Sequence, residues 1–522
     1  MLFALGRFEH RIYIDHIEIY KATSSVEFGN ETAPVIVKLY TKRADREEGG
    51  KFRVLADQRG SAISNLYITK TLNDDFSYFV YGELEGLKNR IYKKEYEGQT
   101  YNFKGDIKDY NFYSNFIYKE WFFELGMIKK NMDSFTGVGL QRTPADNGND
   151  LNAHQQYLHI TKKFENGLKL QLSFDNISYR QNFRDLNGIM LIGLKQPLSD
   201  CTTKFNDNIY YISLGKEIKS RKNRLYLGGF YKYKSVDAKN LIDFLHAPGT
   251  SESSYSNSLN YSSIYMEDEF KVTERVSFLG QLKGDFFRLK KDLGSYVKKI
   301  YKAGIKYKDK NLFLQFLYTH SYLPVTFFEY YDSSKFPYSA NIGLKTPVLN
   351  IYEISSKYRF DDGYLKLVLG DHYIDKPITY YPQIGFMNLN KETEYNLLEL
   401  SYYKELDDNS NLELIFYDTY NHSNKLFSPK WGVTLKLFNN FEKVDIYNEL
   451  VFKSSYISPY NIEIKRSYDW TASVKYHIGK DFSIGMRGEN ILNKGLEQAY
   501  NRVPYSIPVV EQKFWLNLEY LF

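Results

Sequence analysis

The last twelve residues of the chain, EQKFWLNLEYLF (Glu511–Phe522), alternate between apolar and polar side chains with a period of two. Successive side chains of a β-strand point to opposite faces, so this segment predicts a strand with one apolar and one polar face. The apolar face would carry Phe514, Leu516, Leu518, Tyr520 and Phe522. The opposite face would carry Lys513, Trp515, Asn517 and Glu519.

The same pattern recurs along the chain and predicts an all-β fold. Apolar rows with this spacing are Leu168, Leu170, Leu172 and Phe174; Leu225, Leu227, Gly229, Tyr231 and Tyr233; Leu312, Leu314, Phe316 and Tyr318; Leu412, Leu414 and Phe416; and Trp470, Ala472, Val474, Tyr476 and Ile478. Polar residues such as Lys169, Glu413 and Lys475 lie between their members. In a membrane barrel the apolar rows would face lipid and the polar ones the lumen.

Composition narrows the class of fold. Aromatic residues make up 17% of the 522 residues, with 49 Tyr and 37 Phe, yet the mean hydropathy is −0.49. No apolar run reaches about 18 residues, so no transmembrane helix is predicted. A chain rich in strand-forming aromatic residues but polar on average fits either a membrane β-barrel or a large soluble all-β protein.

Charge, cysteine content and motifs exclude several functions. The formal charge of +6 is modest and lacks the concentrated basic face of a nucleic-acid-binding protein. The single Cys201 excludes an intramolecular disulfide and a multi-cysteine zinc site. The sequence contains no H-E-x-x-H motif, no G-x-S-x-G elbow and no P-loop. We therefore expect no catalytic residues, no enzymatic activity and no cofactor.

Short and long connections between predicted strands alternate along the chain. Short polar connections are Asn73–Asp75, Lys119–Glu120, Glu165–Gly167, Lys216–Asn223, Lys271–Arg275, Lys308–Asn311, Asp361–Gly363, Glu405–Asn411, Asn439–Lys443 and Gly479–Asp481. Long irregular connections include Lys130–Leu151, Ser178–Asn208, Ser235–Asn257, Leu323–Asn350 and Leu492–Glu511. Short turns at one end and long loops at the other are typical of outer-membrane barrels, whose turns are periplasmic and whose loops are extracellular.

The ten short turns separate eleven hairpins, which predicts a transmembrane antiparallel β-barrel of about 22 strands. The lumen of such a barrel is too wide for side chains to fill and is plugged in known transporters. Propeller blades would also give many strands, but no propeller repeat signature recurs.

Two segments resemble a known family. The segment SIGMRGENILNKGLEQAY (Ser483–Tyr500) resembles the penultimate strand and loop entry of TonB-dependent outer-membrane transporters, with Glu489, Asn490 and Leu492 among the matches. A terminal aromatic after an apolar row resembles the C-terminal assembly signal of bacterial outer-membrane proteins. An ordinary edge strand with a chance final Phe522 is the alternative.

The second segment, IDHIEIYKATSSVEFGNETAPVIVKLYTK (Ile14–Lys42), resembles the last part of that family's plug domain. It departs from the family where Lys21–Thr23 replaces an Arg-Gly-Pro turn, where Phe28 stands for Tyr, and where Ala33–Pro34 stands for Gly-Gly. The resemblance implies two domains. Residues 1–48 would be the C-terminal remnant of a plug in the lumen, and residues 49–522 would be the barrel.

The N-terminal MLFALGRFEH is too short in its apolar part for a secretory signal peptide, and we expect the chain to start inside the plug. Either it is a fragment of a longer transporter, or the protein has lost its energy-coupling segment. In the family, a TonB-type energy-coupling complex acts through a plug N-terminus that this sequence does not contain. We therefore expect no energised uptake by this chain alone.

Ligand-binding candidates come from aromatic segments and histidines. The plug resemblance implies a contact at Phe28, and the segments Glu329–Tyr338 and Tyr373–Gln383 could line a binding vestibule or form an aromatic girdle at the membrane interface. The candidate residues are Phe28, Tyr330, Tyr331, Tyr338, Tyr380 and Tyr381. His320, His372 and His422 border predicted extracellular loops, where they could contact haem or metal or be ordinary surface residues.

The resemblance implies a function and a location. We expect a receptor and transporter in the outer membrane of a Gram-negative bacterium that imports a scarce, bulky nutrient such as a metal chelate of the siderophore type. The expected partners are this ligand, outer-membrane lipid and the TonB-type complex, and not nucleic acid. A passive pore, or a surface receptor that has lost energy coupling, is the alternative.

Overall fold

The computed structural model describes residues 12–21, 35–96, 99–103, 105–133, 150–185, 198–244, 250–289, 294–325, 343–381, 385–421, 428–458, 462–499 and 506–522. All regular secondary structure within these ranges is β-strand. None of the described residues forms a helix long and apolar enough to cross a membrane.

Thirty-two strands form in chain order. The first sixteen are β1 (Ile14–Lys21), β2 (Val35–Thr41), β3 (Gly49–Asp57), β4 (Ala62–Asn73), β5 (Phe76–Leu87), β6 (Tyr92–Tyr96), β7 (Gln99–Phe103), β8 (Ile107–Tyr118), β9 (Trp121–Asp133), β10 (Asp150–Lys163), β11 (Leu168–Asp185), β12 (Leu198–Lys219), β13 (Asn223–Phe244), β14 (Thr250–Lys271), β15 (Val276–Leu289) and β16 (Ser295–Lys308). The others are β17 (Leu312–Tyr322), β18 (Val348–Phe360), β19 (Gly363–Asp375), β20 (Ile378–Tyr381), β21 (Gly385–Asn388), β22 (Thr393–Asp407), β23 (Ser410–Asn421), β24 (Trp431–Asn440), β25 (Val444–Lys453), β26 (Tyr456–Ile457), β27 (Glu463–Ile464), β28 (Ser467–Ile478), β29 (Phe482–Glu489), β30 (Glu497–Ala499), β31 (Ser506–Pro508) and β32 (Lys513–Leu521).

Twenty-two of these strands pair antiparallel in a closed barrel, which confirms the predicted fold class and strand number. The first barrel strand, β3, pairs with the last, β32, from Lys51 opposite Leu521 to Asp57 opposite Trp515. Reciprocal backbone hydrogen bonds between Gly50 and Phe522, of 2.7 and 3.0 Å, complete this seam. Closure leaves no strand edge exposed to lipid, where unpaired backbone groups would each cost several kcal/mol.

The ten short connections occupy one end of the barrel, and the end of β32 lies at that end too. The connections at the opposite end include the small hairpins β6–β7, β20–β21, β26–β27 and β30–β31. By the usual arrangement of such barrels, the first end is periplasmic and the second is extracellular.

Side chains alternate between the outward and inward faces as the sequence predicts. On β32, Phe514 is 43% exposed whereas its neighbour Trp515 is 1% exposed. Leu172 and Leu414 are exposed on the outward face. Strand register places Leu168, Leu170 and Leu412 on the same outward rows. The predicted register is therefore confirmed, and an apolar belt surrounds the barrel.

Two of the predicted loops are much shorter in the structure than the sequence predicted. Ser178–Asn208 and Ser235–Asn257 are largely strand, because β11 continues to Asp185, β12 begins at Leu198, and β13 and β14 continue to Phe244 and from Thr250. The strands β12, β13 and β14 have 22 residues each, and about 9–11 residues suffice to cross a bilayer. Their upper halves therefore extend beyond the apolar belt on the extracellular side.

A two-stranded sheet formed by β1 and β2 precedes the barrel strands. Next to it, Tyr13 is buried and stacks on Tyr113 with ring centroids 5.0 Å apart. Thr41 Oγ1 lies 2.7 Å from the Tyr113 hydroxyl, and Asn115 Nδ2 donates to the Lys42 carbonyl at 2.9 Å. Tyr113 and Asn115 are on the inward face of β8, so this segment contacts the wall from the lumen side.

Candidate ligand site in the barrel lumen

An aromatic cluster covers part of the inward face of β13–β17. Its buried members are Phe230, Tyr261, Tyr265, Phe287, Ile300 and Tyr322. The strand registers place residues of β13–β16 together, because inward positions of neighbouring antiparallel strands lie side by side. Tyr322, at the end of β17, packs on Phe287. Tyr211, Tyr226, Leu259 and Tyr296 pack against the edge of the cluster.

The aromatic rings of this cluster pack against one another in defined orientations. Tyr261 and Phe287 stack with centroids 4.4 Å apart, and Phe287 stacks on Tyr296 at 4.7 Å. Phe230 meets Tyr261 edge to face at 4.9 Å. Stacked and edge-to-face pairs of this kind are the favoured arrangements of aromatic rings, so the surface is held rigidly by its own packing.

A buried ion pair lies inside the aromatic cluster. Lys283 Nζ lies 3.4 Å from Asp285 Oδ1 and 3.3 Å from the Tyr261 hydroxyl. The Tyr322 hydroxyl donates to Asp285 Oδ2 at 2.7 Å. Lys283 Nζ is also 5.3 Å from the Phe230 ring centroid, within the range of a cation–π contact. Both charges are almost fully buried, so each depends on the other for compensation.

Further lysines share this inward face. Lys232 lies opposite Tyr261 with its Nζ 5.6 Å from the Tyr211 ring, and register also places Lys298 and Lys302 inward. Lys306 Nζ pairs with Glu269 Oε2 at 3.1 Å. Ammonium groups, phenolic hydroxyls and ring planes together favour an anionic solute that is partly aromatic, because the ammonium and hydroxyl groups donate and the rings stack.

The described residues contain no group of three or more His, Cys, Asp or Glu side chains placed to hold a metal ion.

Most of the sequence-predicted ligand residues cannot be placed. Phe28, Tyr330, Tyr331, Tyr338 and His422 lie outside the described residues. Tyr380 and Tyr381 form part of β20, in the β20–β21 hairpin at the extracellular end, and only their backbone is described. Their role in binding stays a prediction.

Of the three histidines predicted as ligand candidates, the two that the structure describes, His320 and His372, lie on opposite faces of the wall. His320 is outward, stacks on Tyr301 at 4.5 Å and has its Nδ1 2.8 Å from Asn350 Oδ1. His372 lies opposite the buried Ile351 on the inward face. Since the wall separates these two imidazoles, they cannot share a metal ion.

Outward aromatic residues form an interface girdle on β16–β19. The rings of Tyr318 and Tyr352 pack at a tilt with centroids 4.9 Å apart, and Tyr352 meets Tyr373 edge to face at 6.1 Å. Tyr373 is the first residue of Tyr373–Gln383, one of the two segments for which the sequence predicted either a binding vestibule or an aromatic girdle. Its position favours the girdle for that residue.

Sequence analysis missed the inward ion pair of Lys283 and Asp285. The signal that could have found it is the position of both residues on the polar side of the β15 alternation, between the apolar positions Leu282 and Phe286. Lumen charges that the sequence did identify are paired near the seam, where Glu519 Oε2 lies 2.8 Å from Lys51 Nζ and 3.3 Å from Lys475 Nζ.

The fold and its two faces define a transmembrane antiparallel β-barrel whose lumen carries an aromatic and cationic wall. No protein-family model and no curated protein matches the sequence.

Solved structures share the fold across nearly the whole chain. A mutant of the ferric enterobactin receptor PfeA from Pseudomonas aeruginosa has a TM-score of 0.76 at 12% identity, over 98% of this chain and 85% of that one. The siderophore receptor PiuA from Acinetobacter baumannii has a TM-score of 0.74 at 12% identity, with 98% and 86% covered. The copper transporter OprC has a TM-score of 0.75 at 11% identity, again with 98% and 86% covered. Likeness at such low identity establishes the fold.

Proposed function

We propose that this protein is a ligand-binding receptor and transporter of the outer membrane of a Gram-negative bacterium. Its apolar belt and the segregation of short turns from long connections support the location. Barrels of this fold include proteins described as a ferric enterobactin receptor, a siderophore receptor and a copper transporter, which supports a receptor role.

The proposed ligand is a scarce, bulky, anionic nutrient such as a metal chelate of the siderophore type. The observation that carries this proposal is the edge of the inward aromatic cluster, where the ammonium group of Lys232 lies 5.6 Å from the half-buried ring of Tyr211 and the half-buried rings of Tyr226 and Tyr296 lie nearby. An anionic chelate with flat aromatic groups would find ammonium donors for its charge and ring planes for its faces.

We further propose that residues 1–48 belong to a plug through which a TonB-type complex drives uptake. The contacts of Tyr13, Thr41 and Lys42 with the inward face of β8 support this division. A passive pore, or a surface receptor without energy coupling, is the second candidate. When residues 1–48 are preceded by the N-terminal part of such a plug, uptake of a bound chelate that stops when the proton gradient is collapsed would favour the energised transporter, and unaffected uptake would favour the pore.

Binding of ferric enterobactin to the purified barrel in an uncharged detergent tests the ligand class. We expect saturable binding by calorimetry, weakened at least about tenfold when both Lys232 and Lys302 are replaced by Met, since each ammonium near an anion contributes about 1 kcal/mol or more. Lys163→Met, a change at the end of β10 beside its turn, is the control and should leave binding unchanged. Equal affinity in all three proteins would contradict the proposed site.

A further inference from the structure

Three lysines share the inward face of β16. Lys298, Lys302 and Lys306 are four residues apart, and residues separated by an even number on a strand point to the same side. The alternate residues Tyr301 and Ile305 are exposed on the outward side. The three lysines are half-buried, so they are partly accessible from the lumen.

This row of lysines spans most of the height of the wall. β16 begins at Ser295 at the extracellular end and ends at Lys308 beside a periplasmic turn. A strand rises about 3.3 Å per residue, so neighbouring lysines of the row are about 13 Å apart. We call Lys298, Lys302 and Lys306 the lysine ladder.

Carboxylates lie close to the two ends of the ladder. Glu269 Oε2 is 3.1 Å from Lys306 Nζ at the periplasmic end. Asp285 lies directly opposite Lys298 at the extracellular end, but one of its oxygens is already 3.4 Å from Lys283 Nζ. The acidic charge near Lys298 is therefore shared between two ammonium groups.

The middle lysine has neutral neighbours on both adjacent strands. Lys302 is paired in register with Gln281 on β15 and with Thr319 on β17. The charges of Glu267 on β14 and Glu353 on β18 act on it from the next strands along the wall. Acidic groups therefore moderate the positive charge along the whole ladder.

The upper end of the ladder adjoins the exposed edge of the aromatic cluster. Lys298 Nζ lies 5.7 Å from the ring centroid of Tyr296, one of the half-buried rings at that edge. The described contacts of residues 12–48 with the wall lie on β4, β5, β8 and β9, as for Tyr13 and Tyr113. Strands β10–β15 separate those strands from β16, so these contacts and the ladder occupy different parts of the wall.

We propose that the lysine ladder is a path along which small inorganic anions pass through the lumen. Rings of Lys or Arg side chains line anion pores, and conduction requires sites that bind an ion well enough to admit it and weakly enough to release it. The repeated ammonium groups attract the anion, and the acidic groups around them limit how tightly it binds. This path goes beyond the proposed function, because it needs no bound chelate.

Single-channel recording of the full chain in a planar bilayer of neutral lipid tests the proposal, with potassium chloride as the probe. At about 0.01 M the Debye length is about 30 Å, so the fields of the three lysines overlap, and chloride should permeate in preference to potassium. Lys298→Gln/Lys302→Gln should lower the chloride-to-potassium permeability ratio at least about threefold, because the local anion concentration follows the positive potential. At about 1 M the Debye length is about 3 Å, and the preference should disappear.

The matched control is Arg288→Gln/Lys299→Gln, which removes two exposed outward charges from β15 and β16 and should keep the wild-type ratio. If Lys298→Gln/Lys302→Gln does not form the compact barrel, Lys302→Cys in a Cys201→Ser background replaces it. A thiol reagent that adds an ammonium group to this cysteine should restore the chloride preference, and one that adds a neutral group should not.

Three results would overturn the proposal. One is an equal fall of the permeability ratio in the ladder variant and the control, which would mean that the ratio reports overall charge. Another is a wild-type barrel without chloride preference at low salt, and the third is a wild-type barrel that passes no current. Binding of ferric enterobactin is a separate measurement, so its absence would contradict the proposed ligand and not the ladder.

Discussion

At the scale of single residues, the inward face of β15 shows how a barrel wall can hold charge at a fixed place. Lys283 and Asp285 are two residues apart, so they point to the same face, and Tyr261 and Tyr322 complete their hydrogen bonds. Neither charge is stable alone at this burial, because a lone buried charge costs several kcal/mol. The pair therefore fixes the position of an ammonium group within the aromatic cluster.

Replacing one partner of this pair should destabilise the barrel more than replacing both. Asp285→Asn leaves Lys283 uncompensated and should cost about 3–5 kcal/mol, whereas Lys283→Met/Asp285→Asn should cost less. Urea unfolding in detergent, followed by tryptophan fluorescence, measures the difference. Lys306→Met, which breaks the partly exposed pair with Glu269, is the control and should cost about 1 kcal/mol or less. Equal costs for the single and double variants would contradict the mutual dependence.

On the outward face, contact with lipid determines the cost of introducing a charge. Leu414 is exposed on the lipid side of β23, so Leu414→Arg should cost about 2–4 kcal/mol in a folded barrel. Its neighbour Ile415 lies on the lumen side, and Ile415→Arg should cost clearly less in the same unfolding measurement. The reverse order would mean that the register of β23 is shifted by one residue, which exchanges the two faces.

At the scale of elements, the sequence predicted the lower parts of the strands better than the upper parts. Apolar rows mark strands only where lipid requires them, and the ten polar turns lie where they were expected. Above the belt the outward face is polar and the inward face carries only scattered apolar residues such as Tyr179, Phe205 and Val236, so the upper halves of β11–β14 lack long apolar rows and resemble loops in sequence. Their pairing rests on backbone hydrogen bonds and on amide contacts such as Asn176 Nδ2 with the side-chain oxygens of Asn206 and Asn208, at 2.9 and 2.8 Å.

The lumen site was harder to predict for a related reason. Period-two alternation assigns Lys283 and Asp285 to the inward side, but it does not indicate which residues of β14 and β17 lie beside them. The β14–β15 register brings Tyr261 to this pair, and Tyr322 reaches Asp285 from the end of β17, where its side chain is buried. The local sequence pattern around a residue does not show which residues from distant parts of the chain will contact it.

Cysteine labelling tests the placement of these elements relative to the membrane. In a Cys201→Ser background, Asp237→Cys on the upper part of β13 should react with a membrane-impermeant maleimide on intact cells, because its side chain is exposed above the belt. Leu227→Cys, on the apolar belt of the same strand, should not react. Lys222→Cys, in a short turn, should react only after the outer membrane is permeabilised. Labelling of Lys222→Cys on intact cells would reverse the orientation.

At the scale of the whole molecule, stability depends on closing the barrel between its two ends in sequence. The seam of β3 and β32 contains the buried pair of Asp57 and Lys513, with Oδ2 and Nζ 3.5 Å apart, and the paired backbone of Gly50 and Phe522. An open barrel of 21 strands would expose two unpaired edges to hydrocarbon.

Deleting residues 514–522 should therefore abolish the compact form that folded barrels show on unheated electrophoresis gels. Phe522→Ala keeps the backbone pairing with Gly50 and should retain that form, which makes it the matched control. A deletion variant that still migrates as a compact, heat-sensitive species would show that closure does not require β32.

Electron cryo-microscopy of the protein in lipid nanodiscs with ferric enterobactin tests the central claim most directly, because one map shows both the barrel and its ligand. The account predicts a closed barrel of 22 strands, with ligand density inside the lumen against the exposed edge of the aromatic cluster and close to Lys232 and Tyr211. An open or differently stranded wall would contradict the fold. A lumen surface that stays free of density at saturating chelate would contradict the proposed ligand site.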